Sequence, residues 1–256
     1  MPRALLLATL LLAVPAVGTG CAALPSRPHG EPVCSISDHL DPSAWREYVG
    51  RDYFGSRGAL LPAALVVGAA LVAPADDRLQ DAMSGSLGDS AAIGDVGVSS
   101  LVVGSIALGA LRPGPGRHPW DQTWSNFEAL WLTYAVTEAG RAAFERERPT
   151  GSSRASMPSG HAAISFAAAT LIHREAGPAW GIPAYGVAGL AAWSRVESDR
   201  HFPSDVLVGA ALGCLVAGAV DSLHFGRGPG RGIAGRCHLH AGPTEDGVGV
   251  GLSIDL

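Results

Sequence analysis

Lysine is absent from this chain of 256 residues, so all 18 of its basic side chains are arginines. Any site that could use lysine or arginine must therefore use arginine, whose guanidinium group presents a planar fork of N–H donors. Charged residues make up only 16% of the chain, and the formal net charge at pH 7 is −5. Because no stripe of basic residues is available to neutralise a phosphate backbone, this composition argues against nucleic acid as a partner.

Long uninterrupted apolar runs are also scarce. After the first 20 residues the longest runs, 59–73 and 96–111, hold 15 and 16 residues, whereas a membrane span needs about 20. The segment 124–147 carries Glu128 and Glu138 within its apolar face, and lipid disfavours such carboxylates. The sequence therefore favours a compact helical bundle over a six-span membrane protein. The second alternative stays open because alanine-rich spans are easily undercounted.

Residues 1–20 are typical of an export signal, with Arg3 before an apolar core at 4–14. Small residues at 16–18 suit cleavage by a signal peptidase, whereas the following glycine and cysteine suit lipidation at Cys21. Both alternatives stay open, with Cys21 as the preferred site. Either one predicts an exported protein that is periplasmic or attached to a membrane of the cell envelope.

Export makes disulfides permissible among the four cysteines. Cys214 lies inside an apolar run and is predicted to be a buried thiol. If Cys21 carries lipid, Cys34 and Cys237 are left, and a bond between them is a hypothesis.

The chain divides into four predicted segments: the export signal 1–20, a tether 21–37, a helical domain 38–225, and a Gly-rich linker with a hairpin-like tail 226–256. Proline and glycine separate the apolar runs of the helical domain, which is typical of an all-α fold. In the tail, apolar residues alternate with period two on both sides of a turn, which predicts a β-hairpin. His238 and His240 lie there, but two ligands alone are a weak zinc signal, and no metal site is predicted.

The first string that suggests chemistry contains Arg141 and Arg148, seven residues apart. That is about two helical turns, so both side chains are expected on one face of a helix that Pro149 ends. Alone, the pair would be far more typical of a solvated helix end, with Glu145 and Glu147 as partners.

The second string is Pro158-Ser159-Gly160-His161, directly before an apolar helix. Free backbone N–H groups at a helix N-terminus bind anions. Ser159 adds a hydroxyl donor, and Gly160 permits a close approach of the backbone. An ordinary N-cap at Ser159 is the alternative.

The third string is Ser194-Arg195, followed by His201 and Asp205. The i, i+4 spacing at the start of a helix predicts that Asp205 accepts a hydrogen bond from one ring nitrogen of His201. The other nitrogen would then be unprotonated, as a histidine nucleophile requires. A simple capping interaction is the alternative.

Together, in this order, the strings resemble the type 2 phosphatidic acid phosphatase superfamily, which also contains bacterial acid phosphatases and vanadium haloperoxidases. Its pattern is Lys-x6-Arg-Pro, then Pro-Ser-Gly-His, then Ser-Arg-x5-His-x3-Asp. The second and third strings match throughout, but Arg141 stands where the family usually has lysine, and the gap between Pro149 and Pro158 is short. The resemblance implies a helical bundle of the acid phosphatase and haloperoxidase type.

The resemblance also implies roles for the matching residues. His201 would attack phosphorus and form a phosphohistidine, with Asp205 orienting it. His161 would protonate the leaving oxygen and then activate water. The phosphate oxygens would be held by three arginines, a hydroxyl and a backbone amide: Arg141, Arg148, Arg195, Ser159 and the Gly160 amide. No metal or cofactor is implied, because the arginines supply the positive charge.

The leading interpretation is a phosphatase that acts on a phosphomonoester or diphosphate, either a soluble molecule or a lipid reached through a membrane anchor. A vanadate-dependent haloperoxidase is one alternative, in which vanadate is a cofactor rather than an inhibitor; the extra helical material of those enzymes is missing. An exported anion-binding protein without turnover is the other. Candidate selectors of substrate are the segment 112–120 with His118 and Trp120, the loop 149–157, Arg154 and Arg200.

Overall fold

A computed structural model describes residues 59–85, 90–114, 116–117, 119–225, 237–244 and 247–254. The predicted export signal, the tether, Cys21, Cys34 and His118 lie outside the described residues. The helices are α1 (Leu60–Val72), which leads through a 3-10 turn (Ala73–Ala75) into α2 (Asp76–Met83), then α3 (Ala91–Leu111), α4 (Pro119–Phe144), α5 (Gly160–Ala176), α6 (Pro178–Glu197) and α7 (Pro203–Phe225). The predicted all-α class is confirmed.

Two strands follow the helices, β1 (Cys237–Thr244) and β2 (Gly247–Ile254). They are antiparallel, with Cys237 opposite Ile254 and Thr244 opposite Gly247. The place of a hairpin-like tail in the fold stays a prediction, and so does a bond between Cys34 and Cys237.

Helix α5 lies at the centre of the bundle and is packed with alanine. Close contact between α5 and α7 depends on two glycines of α7, four residues apart. A Cβ atom at Gly213 would lie 2.1 Å from the carbonyl oxygen of Ala163, and one at Gly209 would lie 2.4 Å from that of Ser159. Small residues at this spacing let two helices approach to backbone contact. The crossing sets the start of α5 against the start of α7. Cys214, next to it, is buried as predicted.

The three sequence strings lie at one end of the bundle. Helix α4 ends at Phe144, before Glu145, which has a positive φ of 45°. Arg148 and Pro149 lie in the loop that follows, so the prediction that Pro149 ends a helix with Arg141 and Arg148 on one face is wrong. Helix α6 ends before Asp199, with φ 55°. Successive helices run in opposite directions here, so the end of α4, the start of α5, the end of α6 and the start of α7 meet.

Among the described residues, three segments are long and apolar enough to cross a membrane: Leu60–Met83, Ala91–Leu111 and Pro203–Ser222. The prediction that the helices are too short is therefore wrong for these three. Pro74, Asp95 and Asp205 end an apolar run without ending the helical segment, so counting runs underestimates helix length. In the first two segments only 17% of the most apolar window is buried. The outward faces carry exposed apolar side chains: Leu60, Val66, Val67, Leu71, Ile93, Val96, Val103 and Leu111.

The two carboxylates of α4 that counted against a membrane location both have cationic or titratable partners. Glu138 Oε1 lies 2.6 Å from Arg141 Nη1, and Glu128 Oε2 lies 2.6 Å from Nε2 of His224. A paired carboxylate costs far less to remove from water than an isolated one. Helix α4 is therefore compatible with an apolar environment.

Candidate active site

The first two strings are joined by Arg141. Its Nε donates to the carbonyl oxygen of Pro158 at 3.2 Å. A Cβ atom at Gly160 would lie 2.7 Å from Arg141 Nη2. The glycine therefore makes room for this guanidinium group at the start of α5.

The second and third strings are joined through the backbone, because the Ser159 N–H donates to the Asp205 carbonyl oxygen at 3.0 Å. This bond holds the Ser159 side chain beside the loop that carries His201. All eight residues predicted for the site therefore lie at the same end of the bundle.

One buried donor from each string has no hydrogen-bond partner among the described residues: Arg148 Nε, Ser159 Oγ and Arg195 Nε. Ser159 is fully buried and Arg195 is 4% exposed. A buried donor without a partner costs about 1–3 kcal/mol, so three together at one site indicate a place built for an anion. Since the Ser159 hydroxyl makes no capping bond, the prediction of an ordinary N-cap is wrong.

The charge of the site also favours an anion. Burial lowers the pKa of Arg148, and repulsion by Arg141 and Arg200 lowers it further. Arg200 is exposed at the rim, close enough to repel both Arg148 and Arg195. A bound phosphate would relieve this repulsion.

His201 is buried, with 3% exposure, and its Nδ1 lies 2.7 Å from the backbone carbonyl oxygen of Ser156. The predicted direct bond from His201 to Asp205 is wrong. That prediction required both residues to lie on one helix, but α7 begins at Pro203, after His201.

Asp205 reaches His201 only through Ser156. Its Oδ2 accepts from the Ser156 hydroxyl at 2.5 Å and from the Phe202 N–H at 2.9 Å. Its Oδ1 accepts from Arg146 Nη1 at 2.7 Å. The Asp205 carboxylate therefore positions Ser156, and the Ser156 carbonyl oxygen in turn positions the His201 ring.

The environment keeps His201 neutral and selects one tautomer. A carbonyl oxygen only accepts, so Nδ1 carries the hydrogen and Nε2 keeps its lone pair. Burial, opposed by the bond to Ser156 and reinforced by the charges of Arg148, Arg141 and Arg195, lowers the pKa of His201 to about 3. A neutral imidazole with a fixed tautomer is suited to nucleophilic attack.

His161 lies in the first turn of α5, with its side chain 37% exposed. Its Nε2 lies 2.8 Å from Oδ1 of Asp95, and the same oxygen accepts from Arg195 Nη1 at 3.0 Å. Asp95 belongs to α3 and is 66 residues from His161. No sequence pattern pointed to it.

Two further residues were missed. Arg146 bridges Asp205 and Asp76 of α2, with 2.7 Å to a carboxylate oxygen of each, and its guanidinium carbon lies 4.4 Å from the centre of the Phe202 ring. Ser156 is fully buried. Arg146 stands between Arg141 and Arg148 and could have been suspected, but a role carried by the backbone of Ser156 leaves no pattern in side-chain types.

The family assignment follows from the match of residues 98–228, about half the chain, to the family model described as the PAP2 superfamily. The chain belongs to the PAP2 superfamily. This match contains all three strings that form the site.

Two curated relatives match shorter parts of the chain. A lipid A 1-phosphatase of Porphyromonas gingivalis is 46% identical over 88 residues, which are 33% of this chain and 20% of the relative. A decaprenylphosphoryl-5-phosphoribose phosphatase of Mycobacterium tuberculosis is 44% identical over 75 residues, 29% of this chain and 41% of the relative. The matched part thus spans a fifth and about two fifths of their lengths.

Among solved structures, the chain is similar to one described as the first transmembrane PAP2 type phosphatidylglycerolphosphate phosphatase from Bacillus subtilis. The TM-score is 0.53 at 22% identity, covering 68% of this chain and 98% of the other. At that identity the likeness concerns the fold alone.

Proposed function

We propose that this chain is a phosphatase that hydrolyses a phosphomonoester or diphosphate through a phosphohistidine at His201. The observation that carries the proposal is the set of three unpartnered buried donors, one from each string, beside a neutral histidine. Two of the three are arginine nitrogens and the third is the Ser159 hydroxyl. Such donors match the oxygens of a tetrahedral anion.

In the first step His201 Nε2 attacks phosphorus, so a P–N bond forms as the P–O bond to the leaving group breaks. His161, as an imidazolium protonated on both ring nitrogens, gives its Nε2 proton to the leaving oxygen and becomes a neutral imidazole. In the second step His161 takes a proton from water, the resulting hydroxide attacks phosphorus, and the P–N bond breaks to release phosphate. Arg141, Arg148 and Arg195 stabilise the negative charge on the oxygens in both transition states.

A phosphorylated lipid is the substrate class that the surroundings of the site support best. The site lies at one end of a bundle with span-length apolar helices and exposed apolar faces. Two relatives of the chain, a lipid A 1-phosphatase and a decaprenylphosphoryl-5-phosphoribose phosphatase, are phosphatases of lipid-linked phosphates. We therefore propose a membrane-embedded enzyme whose site faces away from the cytoplasm, with lipidation of Cys21 as an additional anchor.

The experiment that tests the function uses the full chain in detergent micelles with EDTA present. Hydrolysis of an aryl phosphate and of a phosphorylated lipid is measured, with and without vanadate. We expect phosphate to be released at the same rate with and without EDTA, because arginines supply the positive charge. Vanadate should inhibit this release, because it mimics five-coordinate phosphorus.

Other results would point to the two alternatives. Phosphate binding without hydrolysis of either substrate would indicate an anion-binding protein. Vanadate- and peroxide-dependent oxidation of bromide, without phosphate release, would indicate a haloperoxidase.

Replacement of Arg146 tests the indirect positioning of His201. We expect Arg146→Lys to lower kcat by about 10–100-fold, because a lysine cannot bridge Asp76 and Asp205 as the guanidinium fork does. KM should change less than about threefold, because the phosphate donors are untouched. Arg78→Lys, at an exposed arginine of α2, is the matched control. A raised KM with normal kcat would instead place Arg146 in contact with substrate.

A further inference from the structure

Asp95 is a carboxylate in the site for which the proposed mechanism has no role. It lies near the start of α3, and its side chain is 63% exposed. One oxygen, Oδ1, accepts from both His161 Nε2 and Arg195 Nη1. Side chains from helices α3, α5 and α6 therefore contact one another at Asp95 Oδ1.

The neighbouring glycine makes this contact possible. A Cβ atom at Gly94 would lie 2.2 Å from Ser194 Oγ and 3.2 Å from Arg195 Nη1. Only a residue without a side chain lets α3 come this close to the end of α6. The position of Asp95 therefore depends on the close crossing of α3 and α6 at Gly94.

The contact decides where His161 carries its proton. An ionised carboxylate only accepts, so the nitrogen that faces it must carry the hydrogen. Burial lowers the pKa of His161, and the charges of Arg195 and Arg141 lower it further, whereas the hydrogen bond and the charge of Asp95 oppose this shift. Asp95 is therefore the charged group here that keeps a proton on Nε2.

The donors that Asp95 uses differ from those that await an anion. It binds Nη1 of Arg195 and Nε2 of His161, while Arg195 Nε, Arg148 Nε and Ser159 Oγ stay without a described partner. Phosphate oxygens can accept hydrogen bonds from these three unpartnered donors while Asp95 stays bound to Arg195 Nη1. Of the substrate's oxygens, only the leaving-group oxygen must contact His161 Nε2, the nitrogen that Asp95 contacts.

We propose that Asp95 is a positioning residue for the general acid His161. Its carboxylate keeps the proton on His161 Nε2 until the leaving-group oxygen displaces the carboxylate from that nitrogen. During the step the proton passes from Nε2 to that oxygen as the P–O bond breaks, and Asp95 stays ionised. The carboxylate keeps its contact with Arg195 Nη1 when the leaving-group oxygen takes its place at Nε2. This inference rests on the proposed phosphatase function.

The test compares leaving groups in the Asp95→Asn variant of the full chain in detergent. Phenyl phosphate releases a basic phenolate that needs a proton, whereas 2,4-dinitrophenyl phosphate releases a weak base that does not. General acid catalysis contributes about 10²–10⁴-fold. We expect kcat/KM to fall about 30-fold for phenyl phosphate and less than about threefold for dinitrophenyl phosphate, with inhibition by inorganic phosphate changed less than about threefold.

Controls separate this role from a structural one. Asp77→Asn, on the exposed face of α2, should change neither rate. In a His161→Gln background, Asp95→Asn should cause little further loss with phenyl phosphate, because both changes remove one function. Retained hydrolysis of dinitrophenyl phosphate shows that the variant folds.

Three results would overturn the proposal. An equal loss with both leaving groups would show that Asp95 acts on the fold or on phosphate itself. Phosphate inhibition more than about tenfold stronger would show that Asp95 competes with the phosphate. Equal rates for variant and wild type on phenyl phosphate would show no role. If wild type hydrolyses neither ester nor a phosphorylated lipid, the proposed function itself fails.

Discussion

His201→Asn is expected to lower kcat/KM for phosphate esters by at least about 10⁴-fold, as removal of a nucleophile does in other covalent enzymes. The asparagine amide can still donate to the Ser156 carbonyl, which the histidine ring contacts at 2.7 Å, but it has no lone pair for phosphorus. Because the arginines and Ser159 remain, affinity for inorganic phosphate should change much less. Steady-state hydrolysis and phosphate binding measured on the same preparation check both expectations.

Trapping of the intermediate makes this prediction sharper. Wild-type protein quenched in alkali during turnover of a ³²P-labelled ester should carry label that is stable to base and labile to acid, as a P–N bond is. His201→Asn should carry none. Variant activity above about 1% of wild type, with no label in either protein, would mean that water attacks the ester directly and that His201 has another role.

Gly213→Ala should abolish or severely reduce folding of the bundle. The added Cβ would lie 2.1 Å from the Ala163 carbonyl oxygen and 2.9 Å from the Ala167 nitrogen, and both are backbone atoms of α5. Overpacking of side chains costs about 1–3 kcal/mol. Backbone atoms yield less readily, so we expect a loss of about 3 kcal/mol or more, despite the gain of up to about 1 kcal/mol from replacing a helical glycine.

Thermal unfolding in detergent measures this loss against a matched variant. Gly104→Ala changes a helical glycine of α3 that has open space around its Cβ position, so its Tm should be unchanged or slightly raised. For Gly213→Ala we expect a Tm about 6–12 °C lower, or no folded protein. Equal Tm values for the two variants would show that α5 and α7 are farther apart than the structure indicates.

The fold class and the region of the site were accessible from local sequence patterns. Alternating apolar runs and turn residues predicted the helices, and the resemblance of the three strings to the superfamily's pattern implied that Arg148, Ser159 and His201 share one site. Helix length was underestimated because proline and charged residues, such as Pro74 and Asp95, were counted as breaks. The pairing of Glu128 with His224 joins residues 96 positions apart, so no local pattern contains it.

The sequence by itself determined the all-α class, the membership of the PAP2 superfamily and the use of arginine at position 141, because these depend on residue types at fixed spacings. Only the tertiary structure decided that Ser156, not Asp205, contacts His201, and that Asp95 reaches His161. The first contact uses a backbone carbonyl, which every residue has. The second depends on how closely α3 crosses α6 at Gly94, a distance that no spacing along the chain specifies.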